Sequence, residues 1–243
     1  MGHSVSAGKK AKAVAVAWKN TGQMIRTLTF LSYDFTSCSS YRAMMFINDA
    51  FQHVRFCFSN VLFLSPLFRL FTRSIGIPGS ASKEAMIDYL EKGDHLGLLP
   101  GGFEEATLSC IDQDRIFLQK RTGFIRLCLQ YGIQVRPTYV FGERQTYWNI
   151  QGAFPFRLRL NRYGIPTIFT LGYPFLPLLP KPNVNWYIVV GEPIALPKID
   201  NPSKEDVLKW HKKYSDSLKR IFEDHKENAY GVEVAKTTKL EVW

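Results

Sequence analysis

A chain of 243 residues and 27.9 kDa, 46% apolar and 14% aromatic, holds enough material for a sizeable packed core, which excludes disorder for its bulk. Its four cysteines (Cys38, Cys57, Cys110, Cys128) lie far apart without a C-x-x-C pair and its five histidines are scattered, so neither a disulfide framework nor a zinc site is expected. The net charge of +10 sits in two acid-free stretches, residues 1–33 (Lys9, Lys10, Lys12, Lys19, Arg26) and residues 144–191 (Arg144, Arg157, Arg159, Arg162, Lys181), and the remainder is neutral. Such a surface suits phosphate, from nucleic acid or from lipid headgroups.

Along the chain, the first 50 residues are irregular, with a strand within Gln23–Phe35 and a short helix over Tyr41–Phe51 as the legible pieces. Met1-Gly2-His3-Ser4-Val5-Ser6 matches only the bare myristoylation pattern, and the imidazole after the glycine disfavours the modification. The apolar run Phe56–Phe68 is too short to span a bilayer. From Ser80 onward helices and strands alternate. Ser82 is placed to cap a helix over Lys83–Lys92, with Ala85, Met86, Tyr89 and Leu90 on one face and Gly93 as the stop. A short buried strand, Leu96–Leu99, breaks at Pro100-Gly101-Gly102. A polar loop holding Asp112 and Asp114 precedes a helix predicted over Ile116–Tyr131 and stopped by Gly132. Gln134–Phe141 and Trp186–Val190 read as strands, and Lys204–Lys226 as an amphipathic helix capped by Ser203. The alternation predicts an α/β fold with a mostly parallel central sheet flanked by helices. No linker divides residues 51–243, which read as a single domain following an irregular segment 1–50.

Between Arg144 and Gly191 the cations are interleaved with ten aromatic side chains, among them Trp148, Phe156, Tyr163 and Phe169. That mixture resembles a membrane-interface belt, with rings at headgroup level and long cations reaching outward. Tyr163–Pro180 is uncharged, yet four prolines and two glycines forbid a regular spanning helix, leaving an apolar loop that contacts one leaflet or covers a greasy groove, or an ordinary buried connection.

The stretch richest in chemistry is Leu96-Gly97-Leu98-Leu99-Pro100-Gly101-Gly102-Phe103-Glu104-Glu105. A strand ending in paired glycines lets a ligand approach bare backbone, and two carboxylates just beyond it could orient a hydroxyl or a cation. A tight strand-exit turn followed by a solvated acidic pair fits the same letters.

Four ordered blocks, Leu98-Leu99-Pro100-Gly101-Gly102-Phe103-Glu104-Glu105, Lys120-Arg121-Thr122-Gly123-Phe124, Arg136-Pro137-Thr138-Tyr139-Val140-Phe141-Gly142-Glu143 and Val190-Gly191-Glu192-Pro193-Ile194-Ala195-Leu196-Pro197-Lys198, resemble the type-two diacylglycerol acyltransferase family. The resemblance continues through Asn201–Asp206, Trp210-His211 and the closing Leu240-Glu241-Val242-Trp243. It implies an acyltransferase-like α/β domain over residues 51–243 that moves a fatty acyl group from acyl-CoA to a hydroxyl of a mono- or diacylglycerol in triacylglycerol synthesis. The implied setting is the endoplasmic-reticulum membrane or the lipid-droplet surface. Acyl-CoA is the implied cosubstrate and a neutral lipid the acceptor, with contact to a membrane surface, no bound cofactor or metal, and no nucleic-acid partner.

By the same resemblance Gly101, Gly102, Glu104 and Glu105 form the acceptor-side pocket, while Lys120, Arg121 and Arg126 meet the CoA phosphates. A solvated basic helix face is the competing reading of these three cations. Glu143 and Glu192 follow glycines at strand ends and either line the same cleft or cap a turn. The family's histidine base belongs to an H-P-H-G motif, which this sequence lacks; His53 is too close to the next block to replace it, His95 reads as structural, and His211 and His225 as solvated. The chain is therefore expected to be either an incomplete form of a longer enzyme or a catalytically inactive lipid- or membrane-binding member of the family.

Overall fold

A computed structural model describes residues 54–60, 77–165, 167–172, 181, 184 and 186–243, together with two short strands nearer the N-terminus, β1 (Val14–Ala15) and β2 (Thr27–Phe30). The helix expected over Tyr41–Phe51, most of the Phe56–Phe68 run, residues 173–180, Cys38 and His53 lie outside the described residues. The remaining elements are β3 (Val54–Phe58), β4 (Ile77–Ser80), α1 (Lys83–Glu91), β5 (His95–Leu98), α2 (Gly102–Leu108), β6 (Asp114–Ile116), α3 (Gly123–Tyr131), β7 (Gln134–Phe141), β8 (Trp148–Asn149), α4 (Phe154–Arg162), β9 (Thr170–Leu171), β10 (Tyr187–Val190), α5 (Lys204–Tyr230), α6 (Val232–Thr237) and β11 (Leu240–Val242).

Seven strands form one mixed sheet in the order β1-β10-β7-β2-β5-β3-β4, parallel at every neighbouring pair except β10 and β7. The fold is thus mixed α/β with a mostly parallel sheet and helices, as the alternation predicts. Burial on both faces suits the apolar strand text: in β7 every residue after Gln134 is buried. Helix α5 covers this strand with Val207, Tyr214, Leu218, Ile221 and Phe222. Phe222 lies 5.7 Å from Phe141 in a stacked arrangement and 5.4 Å from Tyr139 edge-on, and Tyr214 lies 5.3 Å from Phe124 of α3. Ser203 closes a full capping box with Asp206, and the helix runs four residues beyond the predicted end.

The structure corrects the sequence reading at three places. The helix predicted from Ile116 begins only at Gly123, because residues 114–116 pair instead with the chain's last strand, β11. The backbone of Trp243 then holds Ile116, Leu118 and Gln119 through bonds of 2.7–2.9 Å, so the apolar Phe117 and Leu118 sit in a braced loop. Asp114, placed by the sequence in a polar loop, is buried and accepts from Tyr139 Oη (3.0 Å) and Tyr230 Oη (2.9 Å). Within residues 144–191 a helix that the sequence reading did not name, α4, is formed, and two of the five cations counted there, Arg144 and Arg157, are buried and do not reach outward. Cys57, Cys110 and Cys128 are free and buried, as expected of reduced interior thiols. Among the described residues no helix is long and apolar enough to cross a membrane, and no cluster of His, Cys, Asp and Glu is placed to hold a metal.

Candidate functional site

Strands β3 and β5 are parallel neighbours with Cys57 opposite Leu98, so their carboxyl ends open on the same side of the sheet. In open α/β sheets that edge is where ligands are received. A cavity of about 790 Å³ occupies it. Its apolar wall comes from Phe58, Met86, Leu98, Leu99, Phe103 and Phe124, and its polar rim from Ser59, Asn60, Glu104, Lys120, Arg121, Asn161 and Arg162. The volume is that of a pocket for a drug-sized ligand, with a few polar groups set in a greasy lining.

The glycine turn shapes the cavity through two different constraints. Gly101 has an ordinary φ of −66°, but a side chain there would overlap the Glu105 side chain, which passes directly against it. Gly102 has a φ of +60°, which side-chain-bearing residues rarely adopt. Helix α2 can therefore leave β5 at once, and its successive residues Glu104 and Glu105, about 100° apart around the helix, reach different cavities. Glu104 faces the cavity and is ion-paired with Arg121. Glu105 is only 4% exposed, and its Oε2 accepts the Phe117 backbone N–H at 2.8 Å. It lines a separate cavity of about 30 Å³, together with Asp114, Glu143 and Arg144.

The residues singled out in sequence thus divide. Gly102, Glu104, Lys120 and Arg121 line the large cavity, with Gly101 just behind them. Glu105 and Glu143 line the small one, and exposed Glu192 is a charge partner of Arg136. Arg126 is on α3 but directs its guanidinium to the Pro202 carbonyl at 3.4 Å, away from the cavity. Helical order, which the sequence reading extended to Lys120 and Arg121, stops short of them, and both ride on the loop that Trp243 and Glu105 brace.

Arg121 is the most constrained of the cations. Its Nη2 donates to the Gly101 carbonyl at 3.5 Å, its guanidinium lies 5.4 Å from the Phe117 ring centre, and its buried Nε has no hydrogen-bond partner. His211, expected on a solvated face, is instead buried, with Nε2 3.0 Å from the Leu118 carbonyl in the same loop. Burial holds its pKa below the usual imidazole range, so at neutral pH it serves as an uncharged donor to that carbonyl. None of the described histidines (His95, His211, His225) lines the large cavity.

Sequence reasoning missed Cys57, Asn60, Asn161 and Arg162 as cavity residues, since they converge from two segments about 100 residues apart in the chain. Burial pushes the Cys57 thiol up to about 12, which keeps it in the protonated form at neutral pH. Asn161 was hidden in the belt. Its Nδ2 donates to Thr107 Oγ1 at 2.7 Å and to the Phe103 carbonyl at 3.2 Å, tying α4 to the helix that follows the glycine turn.

Known proteins supply an independent line. The family model described as diacylglycerol acyltransferase matches residues 33–243. The chain is 35% identical over 179 residues to acyl-CoA wax alcohol acyltransferase 1 of Mus musculus, covering 68% of this chain and 53% of that protein. It is 30% identical over 181 residues to diacylglycerol O-acyltransferase 2 of Rattus norvegicus (68% and 45%), and 29% identical over 187 residues to 2-acylglycerol O-acyltransferase 1 of Mus musculus (72% and 55%). The chain spans about half the length of the curated relatives it matches. No solved structure matches it significantly. A family match that runs from residue 33 to the last residue and takes in the glycine turn, the Arg121 loop and the carboxyl-terminal strand that braces it makes the chain a member of the diacylglycerol acyltransferase family.

Proposed function

We propose that the chain binds acyl-CoA and a neutral-lipid alcohol in the large cavity and takes part in transferring the acyl group between them. The observation that carries this reading is the cavity itself: an apolar wall fit for acyl chains meets a rim bearing Lys120, Arg121 and Arg162 at the carboxyl ends of parallel strands, in a chain whose relatives are named acyltransferases. In the reaction the acceptor hydroxyl attacks the thioester carbonyl, its proton passes to a base, and CoA leaves as the thiolate. Lys120 and Arg121 supply charge-assisted contacts to phosphate, Arg121 presented by its braced loop. Glu104, opposite Arg121, is placed to accept from the acceptor hydroxyl and so orient it. Proton transfer is assigned to none of these residues. By family resemblance the reaction belongs at the endoplasmic-reticulum membrane, with the acceptor a wax alcohol, a monoacylglycerol or a diacylglycerol.

The second reading is a member that binds lipid without turnover, favoured by the absence of a histidine among the described residues lining the cavity. Two measurements separate the readings. Palmitoyl-CoA should bind the purified chain, and a Lys120→Gln/Arg121→Gln variant should bind it on the order of tenfold or more weakly. Labelled product from a monoacylglycerol, a diacylglycerol or a long-chain alcohol selects acyl transfer, and binding without product selects the second reading. Failure of the unmodified chain to bind palmitoyl-CoA, or equal binding by the double variant, overturns both.

A further inference from the structure

We propose that the outward face of the β8–β9 ribbon and helix α4 is a docking surface for a lipid bilayer bearing anionic headgroups. This region is built inside out. Its interior is polar: Arg157, 5% exposed, donates to the carbonyls of Thr167 (2.8 Å), Ile150 and Gly152 (3.4 Å). Asn161 Oδ1 accepts from the Thr167 N–H at 3.1 Å, and Asn149 Nδ2 donates to the carbonyls of Ala106, Thr107 and Ser109, each at 3.1 Å.

The exterior is apolar. Trp148 pairs with Leu171 across the antiparallel ribbon, and the Ile150 N–H bonds the Phe169 carbonyl at 3.3 Å. Pleat alternation puts these four side chains on one face and Asn149 on the other. On α4 and at its C-cap, Phe156, Arg159 and Tyr163 recur at helical spacing opposite the buried Arg157 and Asn161. The six apolar residues of this face are between 49% and 77% exposed. Outside residues 148–171, the described large apolar residues that are exposed are only Leu208, Val232 and Val234.

Charge selects the occupant. Exposed Arg159 and Arg162 and half-buried Lys181, whose Nζ lies 4.4 Å from the Trp148 ring centre, border the face, and residues 144–191 contain no acid. A protein partner would bring its own apolar patch, but this combination of rings and cations matches a headgroup layer. The face also adjoins the large cavity, which Asn161, Arg162 and Gly164 help to line. Docking would therefore place the cavity beside the leaflet that holds a neutral lipid.

The test is flotation of the full chain with phosphatidylcholine vesicles containing about 20% phosphatidylserine. A Trp148→Ser/Ile150→Ser/Phe169→Ser/Leu171→Ser variant should partition on the order of a hundredfold more weakly. Arg159→Gln should weaken binding to the anionic vesicles and leave binding to pure phosphatidylcholine unchanged. Independently of how the quadruple variant folds, brominated phosphatidylcholine should quench the unmodified chain and quench Trp148→Phe less. Equal quenching of the two chains overturns the proposal. So does unchanged flotation by a folded quadruple variant, or vesicle-free self-association that the same substitutions abolish. Palmitoyl-CoA binding in detergent should survive the ribbon substitutions, so failure of the docking surface and failure of the cavity reading give different results.

Discussion

Two regions of this molecule solve the burial problem in opposite ways. Around β7 and α5, apolar side chains face one another: Tyr139, Phe141 and Phe222 are fully packed, and the polar face of α5 is in water. Around α4, the side chains that hold the elements together are Arg157, Asn161, Asn149 and Thr167, and the aromatic rings point outward. The first region is stabilised mainly by removing apolar area from water, the second by satisfying backbone carbonyls with side-chain donors. Hydrophobic packing tolerates repacking, whereas a hydrogen-bonded clamp depends on one side chain supplying several donors. The two should therefore fail differently.

The largest effect is expected in the apolar region. Phe222→Ala should lower the unfolding free energy by about 3–5 kcal/mol, read from urea denaturation as a shifted midpoint with an unchanged slope. In the polar region Arg157→Met keeps much of the volume and removes every donor. It should cost about 3 kcal/mol, expressed locally: amide exchange in residues 149–171 should accelerate while α5 keeps its protection. A loss spread evenly over both regions would erase the distinction.

Between the two lies the glycine turn. Gly101→Ala should destabilise by about 1–3 kcal/mol, since the added methyl overlaps Glu105 and α2 must shift. The shift should also weaken palmitoyl-CoA binding through the Glu104–Arg121 pair. Ser203→Ala, which removes the cap of α5, should cost about 1 kcal/mol in denaturant titration and leave exchange around α4 unaltered.

The smallest expected effects are changes of slope with pH. The folded-state pKa of His211 is held below its ordinary 6.5 by burial, so the unfolded chain binds the proton more readily. Stability should be complete above 6.5 and decline as pH falls below it; His211→Gln, which keeps a donor toward the Leu118 carbonyl, should flatten that decline. Asp114 has the opposite sign. Burial raises its carboxyl above the ordinary 3.8 against the opposing pull of Arg144, Tyr230 and Tyr139, so its contribution favours folding at low pH and weakens as pH rises past 3.8. Asp114→Asn should remove that tilt, and denaturation curves across acidic pH would detect either change.

Legibility in the sequence followed the same division. Elements whose apolar residues repeat at their own period and face the core, such as α1, β7 and α5, could be read with boundaries close to those observed. Helix α4 could not, because its inward face is Arg157 and Asn161 and its outward face is aromatic, which inverts the pattern that marks a helix. The start of α3 differs from the reading because Phe117 and Leu118 lie in helical phase with Phe124, Ile125, Cys128 and Leu129, but pairing of residues 114–116 with β11 claims the segment from more than 120 residues away. In the cavity, Glu104 and Glu105 are indistinguishable as letters, and only the handedness at Gly102 and the space above Gly101 decide which carboxylate faces the ligand side.

By itself the sequence determined the alternation of elements, the glycine-ended strand and the family of the chain, because these depend on short-range periodicity and on contiguous blocks. Tertiary structure alone decided that the Arg121 loop is braced by the final residue, that His211 is buried against it, and that α4 turns its rings outward. Each of these is set by a hydrogen-bond or burial partner far along the chain, for α4 the bonds of Asn161 to Phe103 and Thr107, and such partners leave no trace in local spacing.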